Sequence, residues 1–292
     1  MDFNFYQGNC ADILRAKVPS DSVDIILTSP PYTCPNDVGM RKYHGFTFPF
    51  PDIAAELTRV LKPNGVMVWI EGDASRNFCE TGMSWRHALH FMDVCKLSLL
   101  DTCIYYKNAS PYPGIRGCTY NQVFEYVFCM VKPGTTNRPR FFSPIKDKPN
   151  SQKGKRCKAI TRKGYGDKIV KSDKEFVIGD FGIRNNVMLY EVGGFKSAKD
   201  PEASRHCAIA PFNLCFDMCR TYIPTDAIER KKLTILDPFI GSGQSLLAGK
   251  ALGLGRGIGI DISPEFLKLA KFRCTSDRIL KLNYPVKESH KI

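Results

Sequence analysis

Apolar and polar positions along the first 133 residues fall into blocks that read as strand, helix, strand. Asp2 to Gln7 is a short aromatic run ending at Gly8, and Ala11 to Lys17 carries a helical turn or two. Val23-Asp24-Ile25-Ile26-Leu27-Thr28 is a run of the kind a sheet buries on both faces. It leads into Pro30 and Pro31, where the ladder must stop because proline has no amide hydrogen to donate. From Pro51, at a first helical position, Ile53, Leu57, Val60 and Leu61 recur at i, i+4, i+7 and i+8, one stripe of an amphipathic helix. Lys62-Pro63-Asn64-Gly65 predicts a turn into a strand over Val66 to Ile70, and Leu97 to Lys107 and Val123 to Lys132 predict two more strands.

The periodicity then stops. Residues 134 to 200 are rich in Lys, Arg, Gly, Pro, Ser and Asp, broken by short apolar islands such as Phe176-Val177-Ile178 and Val187-Met188-Leu189-Tyr190. Regular pattern resumes with a helix around Pro211 to Tyr222, a strand over Leu233 to Leu236, a glycine turn and a helix over Ser245 to Leu252. A strand over Arg256 to Ile260 and a last helix from Pro264 to about Arg278 follow. Strands alternating with helices predict an α/β fold, a mostly parallel sheet with helices on both faces. The organisation predicted is one domain in two halves, residues 1–133 and 201–292, around an inserted region, residues 134–200.

Composition sharpens the reading of that insertion. The chain has 292 residues and 42 Lys and Arg against 29 Asp and Glu, a net charge of +13. Residues 132 to 200 hold 17 of those cations and 7 of the anions, so most of the surplus is regional, as a footprint for a polyanion would be. The 12 cysteines lie scattered through apolar stretches with no Cys-x-x-Cys pair, which reads as reduced core thiols rather than a disulfide framework. Cys215 and Cys219 share a helical face near His206 and Cys207, and these too read as packing rather than as a metal site. No apolar run approaches the roughly 20 residues of a membrane span, and the first residues lack the basic and apolar regions of a signal peptide, so a soluble cytoplasmic protein is expected.

Two segments carry chemistry. Asp237-Pro238-Phe239-Ile240-Gly241-Ser242-Gly243 lies between a strand and a helix, where an open α/β sheet exposes its carboxyl edge to a ligand and where glycines let a nucleoside approach the backbone. A later strand delivers Asp261, whose carboxylate can accept both hydroxyls of a ribose. Alone this is compatible with several nucleotide-binding enzymes, although neither a P-loop Gly-Lys-Ser/Thr nor Gly-x-Gly-x-x-Gly occurs in the turn. The second segment is Thr28-Ser29-Pro30-Pro31-Tyr32, directly after a buried strand.

Together these segments resemble the two defining motifs of the amino-group (N4-cytosine/N6-adenine) DNA methyltransferases. Their order, catalytic motif first, resembles the permuted β group. Gly8-Asn9-Cys10, Glu56 to Gly65 and His206 to Phe212 extend the likeness over most of the chain. The resemblance implies a circularly permuted, Rossmann-like S-adenosylmethionine-dependent methyltransferase fold, with DNA as partner and the inserted region as target reader. It implies that Ser29 and the Pro30 carbonyl accept the two hydrogens of an exocyclic amino group, that Pro31 helps fix the loop and that Tyr32 stacks on a flipped base. It places Asn9, Cys10, Thr28, Pro211, Phe212, Asp237, Pro238, Phe239, Gly241, Ser242, Gly243, Asp261 and Ile262 at the cofactor, and calls for no metal. The family usually has Asp where this chain has Asn9. Gln244 stands where a small hydroxyl residue is expected, with Ser245 as its substitute.

Serine at the first motif position is commoner in enzymes acting on cytosine N4 than on adenine N6, which makes N4-cytosine methylation, within restriction–modification or epigenetic marking, the leading expectation. Adenine and RNA remain as alternatives, as do a small-molecule methyltransferase, a non-catalytic binding module on the same fold, and a homodimer. Nucleic-acid contacts are expected from Arg138, Arg140, Lys153, Lys155, Arg156, Lys158, Arg162 and Lys163, with Tyr112, Arg116 and Tyr120 near the target channel. His87 and His90 fall on a predicted helix and read as surface or satisfied core residues rather than catalytic bases.

Overall fold

The computed structural model describes residues 1–31, 48–73, 75–76, 78–108, 120–161, 170–193, 195–206 and 208–284. Two compact units emerge: Met1–Ser143 together with Asn186–Ile292, and Pro144–Asn185.

The larger unit is built on one eight-stranded sheet. Its elements in chain order are β1 (Asp2–Gln7), α1 (Cys10–Lys17), β2 (Val23–Thr28), α2 (Phe50–Val60), β3 (Leu61–Glu71), a small β4 (Ser75–Arg76) and β5 (Cys79–Glu80) pair, α3 (Met83–Asp93), β6 (Ser98–Lys107) and β7 (Phe124–Val131). After the smaller unit, with β8 (Lys146–Pro149), β9 (Arg156–Thr161), β10 (Val170–Val177) and β11 (Phe181–Ile183), come β12 (Val187–Tyr190), α4 (Phe212–Thr221), α5 (Ala227–Arg230), β13 (Thr234–Asp237), α6 (Gln244–Ala251), β14 (Arg256–Asp261), α7 (Pro264–Thr275) and α8 (Asp277–Asn283). The strand order is β1-β14-β13-β2-β3-β7-β6-β12. Pairs from β1 through β3 are parallel, β7 runs antiparallel to both its neighbours, and β12 pairs parallel to β6.

Both faces of the sheet are covered, which is why β2 could be wholly apolar in its centre. Ile25 and Leu27 point with Val66, Val68 and Ile70 into a core closed by α4, α6 and α7. Ile26, Met67 and Trp69 point the other way, into a core closed by α1, α2 and α3. The alternation is the period of two of a pleated strand. In α2 the predicted stripe of Ile53, Leu57 and Val60 is buried together with Ala54. Asp24, at the start of β2, is a buried carboxylate made tolerable by Lys62 at 2.8 Å and by the Thr234 amide at 2.9 Å.

Two readings change on inspection. Lys62 to Gly65 does not separate helix from strand as a free turn. β3 already begins at Leu61, opposite Val23, and the next pair is Val66 with Ile25, so the segment is absorbed as a register break. Asn64 adopts a positive φ of 62° there, and its side-chain amide donates to the carbonyls of Thr136 and Arg138. The island Val187 to Tyr190, grouped with the irregular insertion, is the edge strand β12 of the main sheet, in register with Ile104 to Lys107. Four residues are too few to show a period; the partner strand supplies the order.

The smaller unit therefore spans Pro144–Asn185, inside the 134–200 stretch marked by composition. It contains two antiparallel pairs, β8 with β11 and β9 with β10. Phe176, Val177, Phe181 and Ile183 are exposed on it.

Candidate active site

The parallel strands β13 and β2 end side by side, and their last residues are joined. Thr28 Oγ1 donates to Asp237 Oδ1 at 2.6 Å, the Phe239 amide donates to the same oxygen at 3.0 Å, and the Ser245 hydroxyl of α6 donates to Oδ2. One carboxylate thus gathers the catalytic strand, the glycine turn and the helix that follows it. Burial pushes the acid of Asp237 up to about 6, although all three donors pull it down. Sequence placed Asp237 and Thr28 on the cofactor; within the described residues their polar groups are engaged with each other and with Ser245.

Ser245 thereby fills the small-hydroxyl role that Gln244 vacates. The turn itself needs its glycines. Gly241 and Gly243 have φ of 47° and 84°, and a Cβ on Gly241 would lie 2.8 Å from His206 Nε2.

Asp261 ends β14 as predicted. Its Oδ2 accepts from the Gly241 amide at 2.9 Å and its Oδ1 from the Ser263 amide at 2.8 Å, while burial raises its acid above the ordinary range. Each oxygen keeps a lone pair for a hydroxyl donor. Ile262 beside it is 38% exposed, free to cover a ligand. Asn9 lies close by, since the Gly8 amide donates to the Asp261 carbonyl at 3.0 Å. The Asn9 side chain caps α1, accepting from the Ala11 amide at 2.9 Å. Cys10, expected at the cofactor, is buried, with its thiol pushed up to about 12 by that burial, and packs in the core of α1 instead.

Between these elements lies a solvent-open cleft of about 410 Å³, within the usual size of small-molecule sites. Leu27, Thr28 and Ser29 form one wall and the turn from Asp237 to Ser242 another, with Ile70 contributed by β3. Ser29 is half-buried and Pro30 buried. Pro238 is buried, and Phe239 lies half-buried against Phe48 and Trp69, with ring centroids 5.6 and 6.2 Å away. The segment before α4 also reaches the cleft, through His206, Ala208 and Ala210. Pro211 and Phe212, the residues expected there, are buried at the head of α4, with Phe212 in the core. The motif found the right segment, but facing could not be read from it. Tyr32, Tyr112, Arg116 and Cys207 lie outside the described residues, and Tyr120 is almost wholly exposed.

His87 is a buried residue and not a surface one: its Nδ1 is 2.9 Å from Glu71, and Trp69 Nε1 donates to the same carboxylate at 2.8 Å. Its ring stacks on Phe50 at 3.8 Å. Cys215 and Cys219 are buried in the core, burial raising both thiols, and among the described residues no group of three His, Cys, Asp or Glu could hold a metal ion.

Of the expected nucleic-acid contacts, Lys153, Lys155, Arg156 and Lys158 are exposed on the smaller unit, whereas Arg162 and Lys163 lie outside the described residues. Arg138 and Arg140 belong to the larger unit. Their stretch is stitched to Asn64, and the Arg140 guanidinium lies over the Phe141 ring, 3.9 Å from Asp24. They are exposed cations, but anchored ones.

A doubly covered sheet whose glycine turn and Ser-Pro-Pro loop flank one cleft at the carboxyl edge defines an α/β methyltransferase. The model of a DNA methylase family, N6_N4_Mtase, matches residues 23–272, and the chain belongs to that family. It is 34% identical over 269 residues to the orphan methyltransferase M.BamHII of Bacillus amyloliquefaciens, covering 91% of this chain and 94% of that protein. Among solved structures it resembles the cytosine-N4-specific PvuII DNA methyltransferase, with a TM-score of 0.64 at 18% identity over 96% of this chain and 88% of that one. It also resembles a DNA modification methylase of Thermus thermophilus complexed with S-adenosyl-L-methionine, with a TM-score of 0.54 at 20% identity over 94% and 95% of the two chains. These structural likenesses show the permuted methyltransferase fold.

Proposed function

We propose that the chain transfers a methyl group from S-adenosylmethionine to the exocyclic N4 of a cytosine turned out of DNA. The observation that carries this reading is the single hydrogen bond from Thr28 to Asp237, which holds the Ser-Pro-Pro loop and the glycine turn on one cleft. The 34% identity to a DNA methyltransferase over nearly the whole chain supports it, as does the fold shared with a cytosine-N4-specific enzyme.

The residues present fit the cofactor. Asp261 has acceptor capacity for ribose hydroxyls, Gly241 and Ser242 give close backbone approach, and His206 and Ala208 border the amino-acid end. Bound S-adenosylmethionine supplies an electrophilic methyl group on a sulfonium. The chain's own work is at the acceptor. The amino nitrogen of cytosine shares its lone pair with the ring and is a poor nucleophile. Ser29 Oγ and the Pro30 carbonyl, held at the end of β2, accept its two hydrogens and draw them out of the ring plane, which returns electron density to the nitrogen. Pro30 and Pro31 keep those acceptors from relaxing, and no covalent enzyme intermediate is required.

The exposed cations of the smaller unit hold the DNA backbone. The protein works where DNA is, in the cytoplasm. No helix among the described residues is long and apolar enough to cross a membrane. The exposed apolar residues Tyr106 of β6 and Val187 and Leu189 of β12 are where we place self-association, to be read by sedimentation velocity.

Transfer of tritium from labelled S-adenosylmethionine to DNA, followed by digestion to nucleosides and mass identification, tests the reading. N4-methyldeoxycytidine is expected. N6-methyldeoxyadenosine would overturn the base, label only in RNA would overturn the polymer, and no transfer to either would overturn the activity.

A further inference from the structure

Beneath the cofactor turn lies a guanidinium that the transfer chemistry does not use. Arg273, on α7, is wholly buried. Its Nε and Nη2 donate to the two oxygens of Asp200 at 2.9 and 2.7 Å, Nη2 also donates to Gln244 Oε1 at 3.1 Å, and Nη1 donates to the Ser242 carbonyl. Asp200 further accepts from Asn283 Nδ2 at 2.7 Å and from the Ala203 amide at 3.1 Å. Burial pushes the Asp200 carboxyl up, but Arg273 and these donors overcome it and hold the group below its usual range. Gln244 completes the set: its Nε2 donates to the Ser197 carbonyl at 3.2 Å, and that carbonyl also accepts from the Phe212 amide at 2.8 Å.

A buried ion pair is a poor way to gain stability, because desolvation offsets most of its attraction; what it fixes is geometry. A planar guanidinium with donors in a rigid fork is suited to that use. Here the fork spans two segments that wall the cleft from opposite sides. One is the glycine turn with the start of α6, through Ser242 and Gln244. The other is the strap of residues 197–206, through Asp200 and Ser197, whose far end sets the His206 ring against Gly241 and on Phe266, 4.3 Å between centroids. His206, Gly241, Ser242 and Gln244 all line the cleft.

We infer that Arg273, Asp200 and Gln244 form a latch that fixes the strap to the glycine turn, making Gln244 and Arg273 positioning residues for cofactor binding. Gln244 is the departure from the family pattern that makes this latch particular to the chain: a small hydroxyl residue at that place could not reach both Arg273 and Ser197. The latch acts on the affinity of the cleft and leaves the acceptor loop of Ser29 untouched. It rests on the S-adenosylmethionine reading of the cleft.

The test is equilibrium binding of S-adenosylmethionine to the full chain by calorimetry, together with steady-state methyl transfer. Gln244→Met keeps the volume and removes both hydrogen bonds. Its expected effect is about a tenfold rise in Kd and in the KM for S-adenosylmethionine, with kcat at saturating cofactor and the KM for DNA within about twofold and Tm within a few degrees. Arg273→Lys, which keeps the charge and loses the fork, is expected to weaken cofactor binding further. Wild-type affinity in Gln244→Met would overturn the inference. So would a variant in which Tm, kcat and both KM values worsen together, which marks a general packing role. A wild-type chain that bound no S-adenosylmethionine would overturn the cofactor reading itself.

Discussion

Asp237 and Ser29 sit one strand apart and are expected to fail in different ways. Ser29→Ala removes one of two acceptors for the amino hydrogens and nothing that holds the fold, so kcat should drop roughly 100-fold or more while S-adenosylmethionine binding survives. Unchanged turnover in a single-turnover assay would remove Ser29 from the acceptor role. Asp237 instead carries a pH dependence. Its folded-state acid lies at about 6 against an ordinary 3.8, so the protonated form is the better buried one. The resulting contribution to stability is fully present below about pH 4 and is lost as pH rises through about 6, roughly 3 kcal/mol in all. Asp237→Asn keeps an acceptor for Thr28 and Phe239 without the ionisation. Relative to wild type its unfolding free energy should rise by about that amount between pH 4 and 7, and parallel urea-titration profiles would contradict this. Ser29 was legible because a short motif carries it. The partner of Asp237 was not, because Thr28 lies 209 positions away and only the pairing of β13 with β2 brings them together.

At the scale of elements, what could be read in advance depended on length. The eleven-residue α2 showed its buried stripe in the sequence, and the aliphatic run of β2 announced a strand covered on both faces. β12 did not, because four apolar residues in a basic stretch have no period of their own and become a strand only against β6. The glycine turn lies between these cases: its composition was plain, but the reason for each glycine needed neighbours. At Gly243, with φ of 84°, an added Cβ would stand 3.0 Å from Cys274 Sγ and 3.2 Å from the Ala270 backbone of α7. Gly243→Ala should therefore cost about 1–3 kcal/mol of stability, from backbone strain and crowding together. It should also weaken S-adenosylmethionine binding, because the turn must move away from α7. A denaturation midpoint equal to wild type would show that the turn has slack.

For the molecule as a whole, the sequence revealed a permuted order of motifs and a regional charge surplus, and placed them in different parts of the fold. The structure narrows the basic region to a unit of its own, residues 144–185, with 12 Lys and Arg against 5 Asp and Glu. It leaves Arg138 and Arg140 with the sheet, a boundary that composition could not mark because the charge runs across it. Replacing Lys153, Lys155, Arg156 and Lys158 by Gln should weaken DNA binding across sequences. It should also reduce the slope of log K against log salt by roughly 1 for each phosphate no longer neutralised, while cofactor affinity stays constant. An unchanged slope would move the DNA footprint elsewhere on the chain.

The sheet order also bears on how the chain is made. Among the described strands β1 pairs only with β14, and β13 and β14 lie between it and β2. The aromatic strand of Phe3 and Phe5 therefore has no sheet partner until Arg256 to Asp261 has been synthesised. At roughly 5–20 residues per second this interval is on the order of 10 to 50 s. During it an apolar edge waits open, a pairing of very long sequence separation that forms late. Nascent chains arrested near residue 230 should be cut by protease close to β1, whereas released full-length protein should be protected there. A methylase built in this order completes its sheet, and with it the wall that carries Asp261, as nearly the last act of its own synthesis.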